Sequence, residues 1–212
     1  MSKKKLVGFF ACVMLCASLA SPAYAFKAIF RDVPADAWSA PFVYDLAERG
    51  IVNGYGDGNF GPDNTVQRCE YAKMLVGITG TVINKSLVTP YSDVPNSEWY
   101  FPYVNSSLSY FTGYTEDGVL YFRPEADATR EDVAAALMKT FDINLSAYKD
   151  PTAFLSERFS DIDSISPHNR VYVAAAVDQG YLTGDSEGTF RGQASITRAE
   201  VSALLCRAFP RK

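Results

Sequence analysis

The chain has 212 residues, 48% hydrophobic and 21% charged, with a formal net charge of −4. This composition suits a globular protein, and the negative sign argues against nucleic acid or anionic lipid as the main partner, because neither attracts an acidic surface. Four cysteines are too few for a dense disulfide framework.

The amino terminus carries Lys3, Lys4 and Lys5, an apolar run from Leu6 to Ala20, and the ending Ala23-Tyr24-Ala25. A basic start, a short apolar stretch and an A-x-A site predict an export signal over 1–25, cut after Ala25. Removing three lysines and no acid takes the charge from −4 to −7. No later segment is long and apolar enough to span a bilayer, which takes about 20 residues, so the mature chain is expected to be exported and soluble. Cys12 and Cys16 leave with the signal. Cys69 and Cys206 sit at apolar positions of helix-like stretches, which favours two buried thiols over a disulfide.

Three segments then repeat one pattern, at 30–75, 91–138 and 159–205. Each opens with an aromatic and an aspartate (Asp32, Asp93, Asp161). A helical stretch, a glycine turn and a second aromatic follow (Phe60, Phe122, Phe190), and an arginine then starts a second helical stretch (Arg68, Arg130, Arg198). In the first unit, Trp38, Phe42, Val43, Leu46 and Ala47 fall at spacings of three and four, as do Cys69, Ala72, Leu75 and Val76. At that spacing Trp38 and its counterpart Trp99 read as core rather than pocket wall. Val133, Ala136, Leu137 and Phe141, and Val201, Leu204, Leu205 and Phe209, repeat the second stripe. Each unit is therefore predicted as helix, glycine loop and helix with little strand. Units bounded at 26–80, 91–144 and 159–212, each too small to bury a core alone, should pack together as one body.

The second helices open on recognisable chemistry. Thr197 with Glu200 predicts a capping box and Thr129 with Asp132 nearly the same, whereas Gln67 makes a weaker start in the first unit. Arg68, Arg130 and Arg198 are not explained by capping, since a cation in the first turn opposes the helix dipole. Something negative should lie beside each. One reading is an ion pair with Asp32, Asp93 or Asp161; the other is a ligand carboxylate in a crevice open to solvent, gripped by two parallel hydrogen bonds; both can hold at once, with the aspartate orienting the arginine.

The loop "GYGDGNFGP" at 54–62 admits two readings, a sharp link between helices or a bare main-chain surface suited to a flat, hydroxyl-rich sugar. Tyr55 and Tyr114 favour the second, because an aromatic with a polar rim can stack on a sugar face. Gly56, Asp57 and Gly58 join the candidate ligand-binding set with Asp32, Tyr55, Arg68, Asp93, Tyr114, Arg130, Asp161 and Arg198.

The fragments "FRDVP", "ERGIVNGYGDGNFGPD" and "ITRAE", met in order and three times over, resemble the S-layer homology domain across nearly all of the mature chain. The resemblance implies a mainly α, three-lobed module around a central three-helix bundle. It also implies grooves between lobes that hold cell-wall polysaccharide, often bearing ketal-linked pyruvate, and so anchor exported proteins to the envelope. This chain departs from the family in several places. The second unit reads "SYFTGY" before its loop, and the third carries His168 for tryptophan, Asp185 for the loop tyrosine, Glu187 for aspartate and Gly192 for proline. The first unit's site is accordingly expected to be the best preserved, and His168 a surface or packing residue.

Other chemistry is excluded or unsupported. "DGNFGPDNTVQR" is similar to a calcium loop but ends in Arg68 where a bidentate glutamate is required. A glycosidase needs two carboxylates in one unique cleft, whereas these acids recur once per unit. No zinc spacing, phosphate loop or Ser-His-Asp order appears. The sequence thus predicts a noncatalytic, cofactor-free and metal-free carbohydrate-binding anchor of the cell surface. A structural protein that self-associates or docks an envelope partner is the alternative.

Overall fold

A computed structural model describes residues 30–141 and 143–211. The expected export signal and the first four residues of the 26–80 unit lie outside the described residues. The chain is mainly helical, with α1 at Ala40–Glu48, α2 at Arg68–Thr79, α3 at Phe101–Ser106, α4 at Arg130–Met138, α5 at Pro151–Ser156, α6 at Arg170–Asp178 and α7 at Arg198–Ala208. Between α3 and α4 runs a two-stranded antiparallel hairpin, β1 (Tyr114–Glu116) and β2 (Val119–Tyr121). The hairpin departs from the helix-loop-helix expectation. Asp117 and Gly118 both adopt positive φ, at 49° and 78°, the turn that Asp-Gly favours, and β-formers follow it. Helix α5 likewise falls inside the connector expected over 142–158, started by Pro151 and capped by the Asp150 carboxylate, which accepts from the Ala153 amide at 2.9 Å.

The starts of α2, α4 and α7 meet in a ring of main-chain hydrogen bonds. Val66 donates to Ile196, Ile196 to Ala128 and Ala128 to Val66, at 3.0, 3.2 and 2.8 Å. Just beyond, the first two amides of each helix find carbonyls of another segment. Arg68 and Cys69 donate to Ala126 and Pro124, Arg130 and Glu131 to Ala194 and Gly192, and Arg198 and Ala199 to Asn64 and Pro62. Amides that would otherwise lack partners at a helix start are thus satisfied between units rather than within them. Gly192 supplies the same carbonyl that Pro62 and Pro124 do, so the departure from proline leaves this bond intact.

The side-chain caps complete these starts. Thr197 and Glu200 form the reciprocal box, with Glu200 N to Thr197 Oγ1 at 3.2 Å and Thr197 N to Glu200 Oε2 at 2.8 Å. Thr129 accepts from the Asp132 amide at 3.2 Å, and Glu70 accepts from the Gln67 amide at 2.9 Å. Helix α2 packs on α3, α4 on α6 and α7 on α1, so each second helix packs on a first helix from a different unit. Tyr71 of α2 also reaches α4 through a buried bond from its hydroxyl to the Val133 carbonyl, 3.1 Å.

Each unit's opening aromatic packs on its loop aromatic, Phe30 on Phe60, Tyr91 on Phe122 and Phe159 on Phe190, with ring centroids 5.2–5.4 Å apart. Tightness here explains one glycine in each loop. A Cβ on Gly54 would sit 2.4 Å from the Asn59 carbonyl and 2.8 Å from the Phe30 ring, and Gly113 and Gly184 face the same obstruction. Trp38 and Trp99 do not join this core. They are 60% and 52% exposed, which corrects the reading from helical spacing: both precede their helices, so the 3.6-residue period does not apply to them. Cys69 and Cys206 are free thiols, buried and half-buried respectively.

Candidate functional site

The three arginines are buried rather than open to solvent; Arg68, Arg130 and Arg198 are 1%, 7% and 4% exposed. Each reaches into a different unit and makes the same contacts there. Arg68 donates from Nε to the Phe122 carbonyl (2.9 Å) and from Nη2 to that of Thr112 (3.0 Å). Arg130 does so to Phe190 and Thr183, at 2.9 and 2.8 Å. Arg198 closes the ring on Phe60 and Asn53, at 2.9 and 2.8 Å. Each guanidinium also lies over the phenylalanine whose carbonyl it takes, 4.5–5.1 Å from the ring centroid.

Their acidic partners are not the repeated aspartates. Arg68 pairs with Asp132 at 2.8 Å, Arg198 with Glu70 at 3.4 Å and Arg130 with Glu200 at 3.7 Å, the acids two residues after the arginine in each second helix. Asp32 instead accepts from the Phe60 and Gly61 amides, both at 2.7 Å. Asp93 accepts from Phe122 and Arg123 at 2.7 and 2.6 Å, and Asp161 from Phe190 and Arg191 at 2.7 Å each. They are loop organisers. Each is aimed at two adjacent main-chain amides, and none forms an ion pair with Arg68, Arg130 or Arg198 among the described residues.

These latches form the floors of two grooves. The larger, about 690 Å³, lies between the loop and second helix of the middle unit and the start of α6. Arg68 and Tyr114 lie in it, with the guanidinium 4.9 Å from the tyrosine ring. Burial pushes the Tyr114 phenol above its ordinary range, against the pull of Arg68, which keeps its hydroxyl a donor. Tyr172, His168, Lys139, Glu131 and Arg123 share the walls. The smaller groove, about 150 Å³, brings Tyr55, Glu70, Lys73 and Trp99 over Arg198, which lies 4.8 Å from the Tyr55 ring.

Each groove is therefore composite. Tyr55 meets Arg198 rather than Arg68, and Arg68 meets Tyr114, so candidates drawn from one unit do not assemble into one site. Arg130 faces the third loop, where Asp185 replaces the tyrosine and binds its own loop, accepting from the Thr189 amide and hydroxyl at 3.0 and 2.7 Å. Gly56, Asp57 and Gly58 do not line the smaller groove. Asp57 accepts from the Asn59 amide at 2.9 Å, and the Gly58 carbonyl accepts from the Arg31 amide. Trp99, assigned to the core, lies in a groove wall instead.

Sequence reasoning passed over two lysines. Lys73 of α2 stands 5.6 Å from the Trp99 ring and 5.8 Å from that of Tyr103. Lys139, at the end of α4, stands 5.1 Å from the Tyr172 ring and donates to Thr112 Oγ1 at 2.8 Å. They occupy different turns of their helices, five and nine residues after the arginine, so aligning the repeats hides them. The signal they share is spatial: each cation covers an aromatic of the first helix that follows.

Residues 29–72 and 158–202 match the family model of the S-layer homology domain. Two stretches of this chain are thus similar to the S-layer homology domain. The cellulosome-anchoring protein of Acetivibrio thermocellus is 31% identical over 76% of this chain and 36% of its own length. The S-layer protein sap of Bacillus anthracis is 24% identical over 97% of this chain and 24% of its own. The amylopullulanase of Thermoanaerobacterium thermosulfurigenes is 30% identical over 86% of this chain but a tenth of that enzyme. The chain thus spans between a tenth and about a third of these relatives, and its likeness to an enzyme is to a small part of it. With segments similar to the S-layer homology domain and S-layer and cell-surface relatives, the chain is a secreted protein of the cell surface.

Proposed function

We propose that the chain is a noncatalytic anchoring module of the cell envelope. Three S-layer homology repeats, bounded at 26–80, 91–144 and 159–212, pack as a three-lobed body and hold an acidic cell-wall polysaccharide in grooves between them. Pyruvate ketals on that polymer are the expected source of its charge. The observation that carries this reading is the groove of about 690 Å³ over Arg68, where Tyr114 and Tyr172 stand beside lysine and arginine side chains. Aromatic faces suit sugar rings and cations suit the acidic substituent. Several grooves on one chain raise the apparent affinity for a repeating polymer through effective concentration.

The test is a pull-down of the mature chain with purified sacculi before and after chemical removal of the acidic polymer. Retention on the first alone is expected. Retention that survives removal points to peptidoglycan or a protein and refutes the proposal. A second reading, self-association or docking of an envelope partner, has one observation in its favour: Val82, Ile83, Leu87 and Val88 are all exposed in one short stretch. Sedimentation of the mature chain over a range of concentrations checks it.

A further inference from the structure

In the larger groove, every arginine and lysine but one already has a carboxylate partner. Arg68 pairs with Asp132 and gives two further donors to carbonyls. Arg123 pairs with Glu116 and lies 4.2 Å from the Tyr114 ring centroid. Glu131 is buried and accepts from the Ser166 amide at 2.8 Å and Asn169 Nδ2 at 3.0 Å. Lys139 is the exception: its ammonium gives one hydrogen bond, to Thr112 Oγ1, and has no carboxylate within ion-pair distance among the described residues. An ammonium carries three donors. His168 is exposed at the rim.

We propose that Lys139 is the residue that receives the ligand's carboxylate in this groove, with the saccharide seated between Tyr114 and Tyr172. The inference rests on the anchoring role proposed above, and it moves the acid-binding role from the latch arginines to a lysine. Arg68 cannot open to a ligand without abandoning three partners, whereas Lys139 gains a counter-ion and keeps its place over Tyr172. Half-burial pushes its ammonium below the ordinary lysine range, partly offset by Asp132 and reinforced by Arg68, and an incoming carboxylate removes that disadvantage. In the smaller groove Lys73 stands over Trp99 and Tyr103 in the corresponding way.

The experiment is calorimetric titration of the mature chain with the methyl glycoside of a pyruvate-ketal hexose and with its methyl ester, which keeps the size and removes the charge. Wild type should prefer the acid at least tenfold. Lys139→Gln should lose that preference while keeping its binding of the ester, and Lys139→Arg should restore most of it, all with unchanged far-ultraviolet dichroism. Wild-type preference for the acid that survives Lys139→Gln overturns the lysine assignment and leaves the anchoring role standing. Equal binding of acid and ester by wild type also overturns it. Wild type that binds neither the glycosides nor sacculi overturns both.

Discussion

Replacing Arg68 with alanine removes one of the three latches, and the structure sets the scale of the loss. Three bonds disappear together: Nε to Phe122 O at 2.9 Å, Nη2 to Thr112 O at 3.0 Å and Nη1 to Asp132 at 2.8 Å. The Asp132 side chain is 17% exposed, so water partly rehydrates it, whereas the Phe122 carbonyl loses a donor in a buried setting. Breaking a buried charged pair from one side costs about 3–5 kcal/mol, a large share of the roughly 5–15 kcal/mol that holds a typical domain together. Urea unfolding of the mature chain followed by far-ultraviolet dichroism measures it, and urea, being uncharged, does not screen the pair. Arg68→Lys should fail to rescue, because an ammonium cannot reach two carbonyls and a carboxylate with the fork of a guanidinium. A double-mutant cycle with Asp132→Ala should give a coupling of at least about 1 kcal/mol. If Arg68→Ala costs less than about 1 kcal/mol yet abolishes retention on sacculi, the arginine is a ligand group and the latch argument is wrong.

Four further outcomes follow from the same geometry. Gly54→Ala should destabilise by about 1–3 kcal/mol or more, since its Cβ lands on Asn59 O and the Phe30 ring. Gly56→Ala, at φ +84° in open space, should cost only about 1–2 kcal/mol of backbone strain; parallel urea melts separate the two. Burial pushes the thiols of Cys69 and Cys206 up to about 12, so alkylation near pH 8 should be slow until the chain is unfolded, and reduction should leave its mobility unchanged. Burial alone would raise the Asp161 carboxyl, but the Phe190 and Arg191 amides and Ser164 outweigh it and hold it below the ordinary carboxylate range. Its stabilisation is therefore present above the unfolded carboxyl's range and lost as pH falls through the lower folded value; amide exchange in the third loop should quicken there, and Asp161→Asn should remove that step. Trp38 and Trp99, the two tryptophans of the chain, are both exposed, so emission should be red-shifted and iodide-quenched, with a protected fraction appearing when saccharide fills the smaller groove.

The first and second helices of each unit and the capping of α7 were legible in the sequence because each is a local pattern. A stripe at spacings of three and four needs no knowledge of the fold, and neither does Thr197 three residues before Glu200. The repeated Asp32, Asp93 and Asp161 were also visible as a set. Their role was not, because it depends on which amides stand 28 to 30 residues away. The arginines failed for a related reason. A cation in the first helical turn calls for a negative partner, but a sequence does not say that the acid belongs to another unit and that carbonyls fill the remaining donors. Lys73 and Lys139 were invisible for the opposite cause, since they hold similar positions in space from dissimilar positions in the repeat.

The latch and the groove are one piece of construction. In the larger groove the floor comes from α2, one wall from β1 and α4, and the other from α6; in the smaller one the floor comes from α7 and the walls from the first loop, α2 and Trp99. No single stretch of 45 residues contributes more than part of either. The starts of α2, α4 and α7 must close their ring of hydrogen bonds before any groove has a floor, because the floor is the guanidinium that follows the ring. The proposed saccharide binding would thereby depend on the integrity of the whole body, and substitutions far from a groove should weaken it. On the proposed anchoring role, Arg68→Ala should weaken retention on a cell wall even though Arg68 does not touch the polymer, because Arg68 holds the Thr112 carbonyl and the Thr112 hydroxyl accepts from Lys139, the proposed receiver of the carboxylate.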